Sequence, residues 1–225
     1  MRKGFKLHRT YRKSFFLIQL LLIYWASAAG FVSSALATVI IRENPFSSAD
    51  AFGLSPFWNW KVIESENFRV IFPEELKTTA NLAVNYYEEA HQFLSPLLRW
   101  QPHYKTQVLL IDNSDSANGL TAPIGRFGMI LWMTPPESWF GTTYYEDWLR
   151  LLIIHEYTHF LNMDNTQGIW NSLRYLLGDS LLPNSVWPPW MLEGLAVYME
   201  TRFTHAGRGR SPEYEMTIRA AAEKN

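Results

Sequence analysis

The chain has 225 residues, 48% of them hydrophobic and 18% charged, so one domain with a sizeable core fits and a disordered chain does not. It contains no cysteine, which excludes a disulfide framework, a thiolate zinc finger and a cysteine nucleophile and leaves any metal to histidines and carboxylates. Six of the 20 basic residues precede position 38, where no acid stands; the other 14 face 21 acids, a balance that argues against a nucleic-acid partner.

The first predicted element is an address. Basic residues from Arg2 to Lys13 precede a mostly apolar run from Phe15 to Val32, and Ala35 and Ala37 then form an A-x-A cleavage pattern. That order reads as a secretory signal peptide over residues 1–37. The apolar run is also nearly long enough to span a bilayer, so the competing reading is an uncleaved membrane anchor. Both readings export residues 38–225 to a periplasmic or extracellular location. Membrane association is expected through residues 15–32.

Residues 38–59, rich in serine, proline and glycine from position 43, read as a linker. Trp60 to Phe72 is β-branched and aromatic with a polar turn at Ser65-Glu66-Asn67, hence a strand or hairpin. Pro73-Glu74-Glu75 opens a helix that places Leu76, Ala80, Ala83, Val84, Tyr87, Ala90 and Leu94 at helical spacing. Gln107 to Ile111 reads as a buried strand, Asp112 to Pro123 as a loop, and Gly128 to Met133 as a strand stopped by Pro135-Pro136. Thr143-x-x-Glu146 has the form of a capping box, and the helix after it is apolar nearly all round from Trp148 to Ile154, so it is buried. It runs to about Asn162. Residues 169–186 read as a shorter amphipathic helix and a loop, expected to pack over a cleft rather than to touch lipid. Trp170, Trp187 and Trp190 are expected in that packing or in the core. Pro188-Pro189 opens a helix from Trp190 to about Arg202, residues 206–212 form a turn, and Glu213 to Lys224 reads as a helix that the chain end cuts off.

The chemistry sits in the buried helix, at His155-Glu156-Tyr157-Thr158-His159. Residues four apart lie on one helix face, so both imidazoles can reach one zinc ion. Glu156 is then placed to act as general base on a metal-bound water whose pKa the ion lowers. Two histidines leave a catalytic zinc one protein ligand short. Glu193, a lone acid among Met191, Leu192, Gly194 and Ala196, is the candidate, because a buried acid without a partner is costly. Glu200, two turns on and nearer the polar helix end, is the fallback. Asp164 or Asp179 could bond a zinc histidine from outside. Tyr198, His205 and Tyr214 are the candidate transition-state donors. His91 and His103 read as surface or packing histidines.

These residues resemble the gluzincin group of metallopeptidases, whose third zinc ligand is a glutamate. The HEYTH helix followed by W-M-L-E-G-L-A looks like the peptidase MA-like domain, and E-G-L-A is similar to the third-ligand motif of the aminopeptidase branch. Trp60 to Phe72, Asn118-Gly119, Gly128 to Pro136 and Gly207-Arg208 fall where a secreted bacterial subgroup carries similar pieces, often ahead of a β-propeller. The resemblance covers about residues 60–225. It implies an α+β, zincin-like fold: a small mixed sheet packed against the helix carrying HExxH, followed by a helical part. It implies Zn2+ held by His155, His159 and Glu193, with Glu156 as base. Three departures accompany it: a longer gap between His159 and Glu193, Val197 where some members carry a second acid, and no motif for the donor.

The expected activity is therefore zinc-dependent hydrolysis of peptide bonds in a peptide or protein substrate. The domain, residues 60–225, is read as truncated at its C-terminal end, with a downstream domain missing from the chain. Gly128 to Met133 is either an edge strand that aligns substrate or a plain core strand. The alternative function is a zinc-stabilised envelope binding or assembly module with weak or absent activity.

Overall fold

The structure is a computed structural model that describes residues 54–55, 58–115, 118–123, 128–135, 146–177 and 181–223. The proposed signal segment, most of the linker, Thr143 and Asp179 lie outside the described residues. Among the described residues no helix is long and apolar enough to cross a membrane.

Strands β1 (Trp60–Glu64) and β2 (Phe68–Pro73) pair antiparallel from Trp60 with Pro73 to Glu64 with Arg69, around the expected Ser65-Glu66-Asn67 turn. Phe68, Val70 and Phe72 alternate inward and are buried, while Arg69 between them is exposed, the period-2 pattern of a one-sided strand. Pro73 ends β2 rather than starting a helix. A 3-10 turn, Glu74–Leu76, follows, and α1 (Lys77–Leu98) begins after it. The helical spacing read from the sequence buries Ala80, Ala83, Val84, Tyr87, Ala90 and Leu94. Because β2 and β3 (Thr106–Ile111) are parallel, they need a crossover, which α1 supplies.

The sheet order is β1-β2-β3-β5-β4, with β4 (Asn118–Thr121) antiparallel to β5 (Met129–Trp132) and β5 parallel to β3. This corrects one expectation and decides between two others. Part of the predicted 112–123 loop is a strand, since pairing with β5 satisfies a backbone whose Asn and Gly have poor strand propensity. And β5 is an inner strand: Met129, Ile130 and Leu131 are buried, and the outer position belongs to β4.

Helix α2 (Trp148–Asp164) is buried on nearly every side, as its unbroken apolar sequence requires. Its N-cap is Asp147, whose carboxylate accepts from the Arg150 backbone N–H, so the expected Thr143 box does not start it. Helices α1 and α2 pack on each other and on the sheet, enclosing one core of Phe68, Val70, Val108, Leu110, Met129, Leu131, Tyr87, Ile153 and Tyr157. After it come α3 (Ile169–Leu177), a 3-10 turn at Pro183–Val186, α4 (Pro189–Phe203), a 3-10 turn at Arg208–Arg210, and α5 (Pro212–Ala222). The described residues thus form an α+β domain with a five-stranded mixed sheet and five α-helices. Among the elements that follow α2, α4 makes the most extensive contact with it, which decides where its acids fall.

Candidate metal centre

His155 and His159 project from one face of α2, both nearly buried, with their Nε2 atoms 3.1 Å apart. Across from them α4 presents Glu193. Its Oε2 lies 3.4 Å from His155 Nε2 and its Oε1 lies 3.4 Å from His159 Nε2. These three residues form a group that could hold a metal ion. Ala196, one turn before Glu200 on α4, is completely buried.

Glu200 stands seven residues after Glu193, about two helical turns, and so shares its face. Its Oε2 lies 2.9 Å from His155 Nδ1. A carboxylate only accepts, so Nδ1–H donates to Glu200. Glu200 is completely buried and its charge is met by Arg208. Arg208 Nε donates to Oε1 at 3.0 Å, Nη2 to Oε2 at 3.0 Å, and the backbone N–H to Oε1 at 2.9 Å. Nη2 also lies 2.7 Å from Nδ1 and 3.4 Å from Nε2 of His155. A donor in the ring plane on the Nδ1 side would be much farther from Nε2. The guanidinium therefore sits over the ring face and does not compete with Glu200. Gly207, at φ 94, turns the chain so that Arg208 points back, and the Gly209 N–H is tied to Thr201 Oγ1 at 3.0 Å.

The charges follow from these contacts. Burial alone would lower the His155 pKa, but its bonds to Glu193 and Glu200 raise it to about 9. Hydrogen bonds with His155 and His159 hold Glu193 well below the usual carboxylate range. Burial works against ionised Glu200, yet its bonds to His155 and Arg208 bring it down to about 2. Both acids are thus carboxylates at neutral pH. Glu156 is buried beside this group, and Thr121 Oγ1 donates to its Oε2 at 2.7 Å.

The sequence-predicted residues separate cleanly. His155, His159, Glu193 and Glu156 come together. Glu200 is not in the ligand group but behind His155, the outer position for which the sequence offers Asp164 or Asp179. Asp164 instead accepts from Trp100 Nε1 at 2.7 Å and pairs with Arg174 at 2.7 Å. The reason for preferring Glu193 over Glu200 is inverted in space. The Glu193 side chain is 59% exposed and that of Glu200 is 0% exposed, because the surroundings of α4 and not its own sequence set burial.

None of the three donor candidates makes a hydrogen bond to the group. Tyr198 is five residues after Glu193, about 140° round the helix, and its hydroxyl accepts from Arg202 Nη1 at 2.9 Å. His205 is exposed. Tyr214 is exposed on α5. Trp190 is 73% exposed and Trp170 is exposed, so neither is core. Helix α3 does not pack down as a lid: Ile169, Tyr175 and Leu176 are exposed, and Arg174 ties it to Asp164. His91 packs against Tyr157, and His103 is an exposed histidine edge-on to Trp100. Thr121 was missed in the sequence because nothing local marks a hydroxyl whose partner is 35 residues away.

No family profile, no curated protein and no solved structure matches this chain.

Proposed function

We propose that this chain is an exported zinc-dependent metallopeptidase of the gluzincin type on a zincin-like fold. One observation carries the reading: two imidazole Nε2 atoms and one carboxylate converge beside a buried glutamate. Donors bound to a tetrahedral ion at 2.0–2.1 Å stand about 3.3 Å apart. The two imidazole nitrogens are 3.1 Å apart, each lies 3.4 Å from one of the two Glu193 oxygens, and one ligand atom from each residue lies within 4.8 Å of the others, close to that requirement. Two nitrogens and one oxygen also leave the fourth position that a catalytic site keeps open. The exposure of Glu193 leaves that side accessible to a substrate.

A zinc ion held there would acidify a water and polarise a carbonyl. Glu156 takes the proton of the attacking water at its carboxylate and delivers it to the leaving amine. Glu200 and Arg208 keep His155 in the tautomer that offers Nε2. In this reading β4, the outer strand, is the one positioned to lie along an extended peptide. A purely structural zinc site, the binding-module alternative, has no use for a carboxylate buried beside its ligands.

The test is elemental mass spectrometry on the purified chain, wild type beside Glu193→Ala, followed by a protease screen of wild type and Glu156→Gln. The expected result is about one zinc per chain in wild type, less in Glu193→Ala, and turnover in wild type that Glu156→Gln loses by about 10²–10⁴-fold while keeping zinc. A folded wild type without zinc, or equal turnover in Glu156→Gln, rejects the proposal.

A further inference from the structure

Strand β4 packs on α2, and two of its residues meet Glu156. Gly119 and Thr121, two residues apart, point to the same face of β4 and bracket it. Thr121 Oγ1 is 2.7 Å from Glu156 Oε2 and 3.1 Å from the Glu156 carbonyl oxygen. The hydroxyl has one hydrogen, and the shorter contact to a carboxylate takes it. Gly119 supplies the space. A Cβ built on it would stand 2.4 Å from Glu156 Cδ, 2.4 Å from Oε1 and 2.5 Å from Cγ.

Gly119 is not at positive φ, so its backbone does not require glycine. What requires it is the carboxylate lying where a side chain would begin. The atoms that would be struck are the far end of a flexible side chain and not backbone. An alanine there displaces the Glu156 carboxylate and leaves the strand in place.

We propose that Gly119 and Thr121 of β4 are positioning residues for the Glu156 carboxylate: the glycine makes the slot, and the hydroxyl takes Oε2 so that Oε1 is the oxygen free to accept a proton. This rests on the metallopeptidase reading for its consequence, but the juxtaposition is tested without it. Neither residue touches the ligand group, so the pair acts on the base and not on the metal.

Two measurements on the full chain decide it. The first is a thermal double-mutant cycle of Gly119→Ala with Glu156→Ala. A methyl that collides with the carboxylate lowers the midpoint in the Glu156 background and loses that effect when the carboxylate is gone. Additive midpoints overturn the proposal. The second is steady-state hydrolysis of casein by Gly119→Ala, Thr121→Val and Thr121→Ser. The first two are expected to lose about 100-fold in kcat with KM and zinc content unchanged, and serine, which keeps the hydroxyl, to restore most of it. Unchanged kcat in Thr121→Val, or a loss that tracks zinc content, overturns it. If wild type hydrolyses nothing, the metallopeptidase reading fails by itself, and the double-mutant cycle still decides the geometry.

Discussion

Two histidines, one on each side of α2, show how differently this domain treats the same side chain. His155 is held between Glu193 and Glu200 under the Arg208 cation, and its pKa is raised to about 9. His91, on α1, meets the opposite face. Its Nδ1 is 2.6 Å from the Tyr157 hydroxyl, its ring stands edge-on to Phe68, and burial lowers its pKa. The Tyr157 phenol, whose pKa burial pushes well above the usual value, remains the donor, and neutral His91 accepts. One histidine is organised by charge and the other by packing. Residues 155 and 157 of one helix serve a polar site and an aromatic core because successive residues are about 100° apart.

The comparison breaks most visibly on the core side. Tyr157 is fully buried among Phe68, Tyr87 and His91. Tyr157→Ala is expected to cost about 3–5 kcal/mol in chemical denaturation, the price of emptying an aromatic core position. A cost below about 1 kcal/mol would show that the cluster is not where the domain's stability lies.

On the charged side the weak point is Arg208. Removing one partner of a buried ion pair strands the other charge at a cost of up to about 3–5 kcal/mol. The Arg208 side chain is about a quarter exposed, so solvent recovers part of this. Arg208→Ala is expected to destabilise by about 1–3 kcal/mol and Arg208→Ala with Glu200→Gln by less, because no charge is then stranded. If the double variant is the less stable of the two, Arg208 does not serve Glu200.

The smallest effect is in pH, and the two histidines should give opposite signs. In chain stripped of metal by a chelator, the raised His155 pKa contributes stability that is complete below the unfolded value of about 6.5 and is lost as pH rises through about 9. The lowered His91 pKa contributes stability that is complete above about 6.5 and is lost as pH falls through its folded value. His91→Gln should flatten the acid limb of the stability curve and leave the alkaline limb. An unchanged acid limb would place that titration elsewhere.

Much of the fold was legible because local pattern and tertiary packing agree. The inward Phe68, Val70 and Phe72 specify a one-sided strand, the series from Ala80 to Leu94 an amphipathic helix, and the apolar run after Trp148 a buried one. What was not legible had weak local preference. Asn118 to Thr121 is a strand only because β5 offers it a ladder, and the N-terminus of α2 at Asp147 is chosen by a side-chain bond within a stretch rich in other capping residues.

The same division runs through the site. The sequence alone determined that His155 and His159 share a helix face and that Glu156 is their neighbour, because helix geometry turns a spacing of four into proximity. Tertiary structure alone decided which acid of α4 meets the imidazoles and which backs one of them. Local sequence sets Glu193 among apolar residues and Glu200 nearer the polar helix end, but only the packing of α4 on α2, with Arg208 returning through Gly207, puts one beside both imidazoles and the other behind His155. The slot formed by Gly119 and the hydroxyl of Thr121 belong to the same class. They act on Glu156 across about 35 residues of chain, a distance that no local propensity reaches.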